Sequence, residues 1–243
     1  MNEDGFWNPK TSNIDWCEYN YIISYYVAEW YNTLSNLIPV LYSSYALYNY
    51  KNTSQIYSNI HIMLIFVYLG SFSFHATLTK TGQLLDELPM LITIIYLIYI
   101  LDNCNKEKLI ANIIIKCLFL ILIYIYNDSP IPFQLSFIFF NLKLIKNIIK
   151  ILKKYPILYT KTKIKKCIQF YLLATVCWTL DLYLCSYFRY FHLHAFWHIL
   201  SYIGCIYLLN FIFIYLTFIN SEYILPRHYK DILQDYSSFY NDE

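Results

Sequence analysis

The sequence predicts an all-α polytopic membrane protein, a seven-transmembrane-helix bundle with its N-terminus outside or lumenal and its C-terminus cytosolic. Three observations lead there. The 243 residues are 58% hydrophobic and only 14% charged, and their mean hydropathy of +0.38 lies well above that of soluble domains. The apolar residues gather into stretches close to the ~20 residues that cross a bilayer as a helix. Twelve of the 18 basic residues fall in alternate connections.

Seven spans follow in order: 26–48, 58–78, 84–101, 109–126, 130–149, 168–188 and 195–219. The first is the least apolar, since it carries Glu29, Asn32, Ser35 and Asn36. The second holds Ser71 and His75 near its end. The third is short and opens with Asp86, Glu87 and Pro89. The fourth and fifth read simply as hydrophobic stretches. The sixth carries Asp181, and His194 and His198 stand at the start of the seventh. Short connections leave no room for a separate soluble domain. The chain is therefore read as one unit: a lumenal segment 1–25, helices over 26–219 and a cytosolic tail 220–243.

Orientation comes from the lysines. With the N-terminus outside, the inner connections hold Lys51, Lys106, Lys108, Lys150, Lys153, Lys154, Lys161, Lys163, Lys165, Lys166, Arg227 and Lys230. The outer ones hold only Lys10, Lys80 and Arg189. This is a strong positive-inside bias. The first 24 residues lack the basic and apolar regions of a cleavable signal peptide, and the ending YNDE is no retention signal of the KDEL kind. Asn52-Thr-Ser falls on the cytosolic side and Asn127-Asp-Ser hugs the membrane, so neither is expected to carry a glycan. Nothing points to nucleic acid.

The orientation also sorts the polar residues by depth. Ser71 and His75, Asp86, His194 and His198, and the acidic N-terminal window all arrive at the lumenal end. A lone intramembrane His or Asp is commonly only a helix–helix contact; five at one depth point to function. Ser71 and His75 are four apart, as are His194 and His198, so each pair shares a helix face. Three imidazoles with an open position are a ligand set of catalytic zinc. His61 and His228 lie at the wrong depth, and His192 should face away from His194 on a helix. Asp181 is either second to the metal or an interhelical polar contact.

A second constellation lies in DWCEYNYIISYYVAEW. Asp15, Glu18, Asn20 and Glu29 are hard oxygen donors that the Trp16 carbonyl can join, a set of the kind that binds calcium. Glu29, at the start of a span, needs such compensation. The alternative for Asp15 is an ordinary solvated, capping carboxylate. The seven cysteines show no zinc-type pairing. Only Cys17 and Cys185 reach the lumenal side, where a bridge between them is an expectation.

At these residues the chain resembles the alkaline ceramidases, a branch of the seven-span zinc hydrolases that include adiponectin receptors. The matching blocks are DWCEYNY, AEWYNTLSNLIP, GSFSFHATL, QLLDELPM and HAFWHIL, in family order; residues 100–170 match only as hydrophobic spans. The resemblance implies zinc on His75, His194 and His198 with water in the fourth position. It implies calcium on Asp15, Trp16, Glu18, Asn20 and Glu29, and pairing of Cys17 with Cys185. The implied reaction is hydrolysis of the ceramide amide to a sphingoid base and a fatty acid. The expected location is a membrane of the endoplasmic reticulum or Golgi, with the active site toward the lumenal side.

In chemical terms, Asp86 is the expected general base and later the donor to the leaving amine, with Glu87 its only rival at that helix end. Ser71, one turn from His75, is expected to donate to the oxyanion. Ser71 as covalent nucleophile lacks a free base, because the histidines hold metal. Trp197 is a candidate wall of the lipid cavity, or a member of the interfacial aromatic belt. Two other readings are a phospholipase-like member of the same group and a non-catalytic seven-span receptor. The receptor reading needs a structural zinc, normally a closed four-ligand site.

Overall fold

The computed structural model describes residues 4–50, 54–102, 129–155 and 158–224, with Ala111, Ile115 and Leu118. Among these the chain is all-helical: α1 (Trp30–Ser35), α2 (Leu37–Tyr50), α3 (Gln55–Thr77), α4 (Lys80–Asp102), α5 (Ile131–Lys154), α6 (Leu158–Tyr183), α7 (Cys185–Phe188), a 3-10 turn (Arg189–Phe191) and α8 (Leu193–Ile224). Three helices, α3, α4 and α8, are long and apolar enough to cross a membrane. A fourth such span exists if α6 is counted with the segment after it, where the chain bends by 106°. The expected span 109–126 apart from Ala111, Ile115 and Leu118, the sequon at Asn127 and most of the tail lie outside the described residues.

The sixth span, expected over 168–188, is instead a helix from Leu158 to Tyr183 followed by a break at Leu184. Two other boundaries differ from the sequence reading in ways that bear on the site. The first span is broken at Asn36 into α1 and α2, because its early residues are polar and turn inward: Asn32, Thr33, Ser35 and Asn36 are all buried. α4 starts at Lys80 rather than at 84, which sets Asp86 nearly two turns inside the helix.

α3 packs along α4, α6 along α8, α2 on α3 and α5 on α4, while α1 is wedged between α3 and α8. The shared core includes Ile60, Leu64, Leu91, Ile94, Phe140, Leu144, Ile148, Leu208, Phe211 and Ile212. On α5 the buried Phe140, Leu144, Ile148 and Ile151 recur at helical spacing. Its opposite face exposes Leu135, Phe139 and Leu142, apolar surface suited to lipid rather than water.

The N-terminal segment is held by backbone. The last carbonyls of a helix have no partner within it, and α3 gives several of them to this segment. The amides of Thr11 and Ser12 donate to Leu78 O (3.2 and 3.0 Å), Ala28 N donates to Ala76 O (2.9 Å), and Glu29 N donates to His75 O (3.0 Å). Leu78 closes α3 in the left-handed region, φ 48°. A disulfide joins Cys17 to Cys185, with Cα atoms 5.3 Å apart across 168 residues of sequence. This ties the segment to the turn before α8.

Candidate active site

The Glu29 amide bond to His75 O places the start of α1 against the end of α3, and α8 closes the third side. At this junction His75, His194 and His198 meet, with ring nitrogens all within 4.8 Å of one another. Ring centroids are separated by 5.0 Å (His75–His194), 4.9 Å (His75–His198) and 4.7 Å (His194–His198). All three are buried.

Each ring is held. His75 Nδ1 meets Glu29 Oε2 at 2.5 Å, and His198 Nδ1 meets Ser35 Oγ at 2.7 Å. The Trp16 indole stacks on His194, 3.6 Å between centroids and 22° from parallel. His75 Nε2 and His194 Nδ1 are left buried without a hydrogen-bond partner. Buried polar atoms are normally satisfied, and a histidine with one nitrogen oriented by a carboxylate and the other open is the usual state of a metal ligand. The donor set therefore fits zinc.

Glu29 is fully buried and carries three contacts. Besides His75 it accepts the Trp16 amide on Oε1 (3.1 Å) and Asn32 Nδ2 on Oε2 (3.0 Å). Asp181 works similarly through backbone: its oxygens accept the amides of Cys17 (3.0 Å) and His194 (3.3 Å). It thus positions a histidine of the cluster and the N-terminal segment together, which its sequence context did not reveal.

Ser71 lies 3.4 Å from His198 Nε2 and within interaction range of the Asp86 carboxylate. The two carboxylates of α4 are separated in use. Glu87 accepts Gln83 Nε2 (2.7 Å), and Gln83 Oε1 accepts the Asn13 amide (2.8 Å), so Glu87 faces the N-terminal segment while Asp86 faces Ser71. The close approach has a backbone cause. Pro89 has no N–H to give the carbonyl of Leu85 four residues back, and that carbonyl faces Gly70 of α3. A Cβ on Gly70 would stand 2.0 Å from Leu85 O and 3.1 Å from Asp86 N.

The acidic window comes together only in part. Glu18 caps α1, taking the amides of Tyr31 (2.8 Å) and Asn32 (2.9 Å), and burial pushes its carboxyl up to about 7. Asp15 is half-exposed, paired with Lys10 at 2.8 Å and bonded by Asn20 Nδ2 at 3.2 Å. Glu18 and Asp15 each lie within electrostatic reach of Glu29, and Asn20 Oδ1 is a buried acceptor without a donor. Trp16 O shares the segment. Among the described residues only the three histidines come together as a set of His, Cys, Asp or Glu ligands, so the acidic window is a neighbourhood of oxygen donors and not an assembled cation site.

The remaining aromatic and histidine expectations divide. Trp197 is half-buried, 6.4 Å from Trp178, which is 6.0 Å from Trp16. His192 is not on a helix: it sits before α8 at φ 49°, its ring 4.0 Å from Tyr31. His61 is buried far down α3.

The profile of the ceramidase family matches residues 8–231. Alkaline ceramidase 3 of Mus musculus is 31% identical over 230 residues, covering 84% of this chain and 84% of that protein. An alkaline ceramidase of Arabidopsis thaliana is 30% identical over 207 residues, 80% of each chain. Alkaline ceramidase 1 of Homo sapiens is 28% identical over 211 residues, 79% of this chain and 78% of its own.

Proposed function

The chain belongs to the ceramidase family, and on that premise we propose that it is an intramembrane, zinc-dependent amidase. Its reaction is hydrolysis of the ceramide N-acyl bond to a sphingoid base and a fatty acid. The observation that carries this reading is the buried histidine triad with two open nitrogens beside a Ser71–Asp86 pair. Zinc held by His75, His194 and His198 would supply Lewis acidity to the amide carbonyl and make water acidic enough to ionise near neutral pH.

The chain's own groups do the proton work. Asp86 takes the proton of the attacking water and returns it to the leaving nitrogen. Ser71 has a single O–H, which the Asp86 carboxylate accepts in the resting site. Once Asp86 is protonated it becomes the donor in that bond, and the Ser71 hydrogen turns to the carbonyl oxygen as charge builds there. Glu29 and Ser35 hold His75 and His198 in orientation throughout.

The seven-span topology, with lumenal N-terminus and cytosolic tail, belongs to this reading and is supported by the apolar helices and the lysine asymmetry. Residence in the endoplasmic reticulum or Golgi with the site toward the lumen is supported by the Cys17–Cys185 disulfide, since such bonds persist in oxidising compartments. Calcium on Asp15, Trp16, Glu18, Asn20 and Glu29 orders the N-terminal segment. Glu29 would belong to both donor sets, so a calcium held by the N-terminal segment and a zinc held by the histidines would be coupled through one carboxylate. The two-chain lipid enters sideways from the bilayer, with Trp197 on its path.

The test is a substrate panel. Purified protein is given ceramides, diacyl phospholipids and simple acyl-amides, and fatty acid release is measured. Release from ceramide, absent from phospholipid, is expected; the reverse order would assign the chain to phospholipid hydrolysis.

A further inference from the structure

We infer that the indole N–H of Trp16 is the hydrogen-bond donor that recognises a hydroxyl of the sphingoid base beside the histidine cluster. This rests on the ceramidase reading and adds a specificity-determining group to it.

Trp16 Nε1 is buried and has no hydrogen-bond partner among the described residues, like His75 Nε2 and His194 Nδ1. The two imidazole nitrogens suit a metal, which takes their lone pairs. An indole nitrogen only donates, so a metal leaves its hydrogen unmet. What it lacks is an acceptor. A buried donor left empty is costly, and such groups are seldom orphaned. A tryptophan of the interfacial belt keeps its polar edge in the wet zone; here that edge is covered.

The ring is held in place. It stacks on His194 at 3.6 Å, lies 6.5 Å from the His75 ring and meets Trp178 edge-on at 6.0 Å. The Trp16 amide donates to Glu29 Oε1 (3.1 Å) and the following amide to Asp181 Oδ2 (3.0 Å), while Cys17 is tied to Cys185. The donor therefore stands beside the triad before any ligand arrives, which spares the cost of ordering it.

The chemistry of a ceramide supplies the acceptor. Its oxygens are the amide carbonyl and the hydroxyls at C1 and C3 of the base. In the reaction proposed above the carbonyl oxygen is met by Ser71. That leaves the hydroxyls, each on a carbon next to the one that bears the amide nitrogen. A site built to hydrogen-bond a hydroxyl rejects the analogue that lacks it, because its own donor is then unpaired. A bound water would satisfy the indole equally well, and in that case the hydroxyls would not matter to recognition.

The experiment gives ceramide and its 1-deoxy and 3-deoxy analogues, matched in chain length, to full-length zinc-loaded wild type and to Trp16→Phe. The variant keeps the backbone carbonyl and an aromatic ring on His194. Wild type is expected to favour ceramide over one analogue about ten-fold in kcat/KM, the scale of one hydrogen bond to a buried donor. In W16F that preference should shrink to about two-fold or less, with the change in KM and the zinc content retained. The disfavoured analogue identifies the hydroxyl. A measurement on wild type alone guards against a variant that fails to fold. The slowest-exchanging indole N–H signal in nitrogen-15 NMR should move downfield on binding the sphingoid base, and not on binding the disfavoured deoxy base. Equal handling of ceramide and both analogues by wild type, a preference that W16F retains, or an unresponsive indole signal overturns the inference and leaves ceramide hydrolysis standing. No cleavage of ceramide by zinc-loaded wild type defeats the hydrolase reading itself, and this inference with it.

Discussion

Substituting Gly70 by alanine tests how the catalytic pair is held. The added Cβ would stand 2.0 Å from Leu85 O and 2.6 Å from Leu85 C. Real Cβ contacts stay above 3.0 Å, so α3 and α4 must separate locally by about 1 Å, the difference between those two distances. The obstacle is backbone, which no rotamer change can clear. Such overpacking costs ~1–3 kcal/mol of stability. Ser71 and Asp86 are the immediate neighbours of the two clashing residues, so the distance between them grows by a similar amount. A misplacement of ~1 Å in a catalytic constellation costs about 100-fold in rate. Ceramide turnover is measured beside zinc content and thermal unfolding. G70A is expected to lose about 100-fold in kcat while retaining zinc, because the histidines are oriented by Glu29 and Ser35 and not by α4. Full activity in G70A would refute the argument, as would zinc loss as its cause.

Glu29→Gln replaces an acceptor-only carboxylate with a group that presents N–H to buried donors, and it weakens the hold on His75. Removing such a partner of a metal-bound histidine costs ~10–100-fold in affinity; chelator competition should register that loss, and unchanged zinc retention would rule it out. Asp181→Ala frees the amides of Cys17 and His194, so faster hydrogen exchange is expected at both residues, with a loss of ~1–3 kcal/mol for the unmet buried donors. Unaltered exchange would show that Asp181 positions neither. Calcium affinity should fall as pH drops through about 7. Burial raises the Glu18 carboxyl to that value, so below it calcium must displace a proton, while above it the carboxylate is already ionised. Titration calorimetry giving one affinity on both sides of neutrality would contradict this.

The parts of this site that a periodic pattern carries were legible in the sequence. The i,i+4 spacing of Ser71 with His75 and of His194 with His198 sets each pair on one face, and the lysine asymmetry sets both pairs at one depth. Asp86 is distinguished from Glu87 only by the fold: adjacent residues on a helix point about 100° apart, and which one meets Ser71 depends on the register of α3 against α4. Gly70 and Pro89 set that register, yet an isolated Gly or Pro in an apolar run carries no such message. Ser35 and Asp181 act across 163 and 13 residues respectively, contacts with no local signature. The polarity of the first span foreshadows the break at Asn36, but its position follows from Asn32, Ser35 and Asn36 all being buried, with Ser35 reaching His198. Trp16 was assigned through its carbonyl, while its ring, stacked on His194, is the contact that encloses the cluster.

The proposed coupling between the acidic window and the histidine cluster rests on one residue. Glu29 donates its backbone amide to His75 O, accepts the Trp16 N–H on one carboxylate oxygen and meets His75 Nδ1 with the other. Any cation that orders the acidic window therefore bears on the orientation of His75.

The central claim, that the histidine cluster with Asp86 hydrolyses the ceramide amide, is tested most directly by a product balance on zinc-loaded protein. Sphingoid base and fatty acid released from a defined ceramide are quantified for wild type and for Asp86→Ala, with zinc content measured in both. The account predicts equimolar products from wild type and a loss of ~10²–10⁴-fold in the variant at unchanged zinc content. No amide cleavage by zinc-loaded wild type, or full activity in the variant, would contradict it.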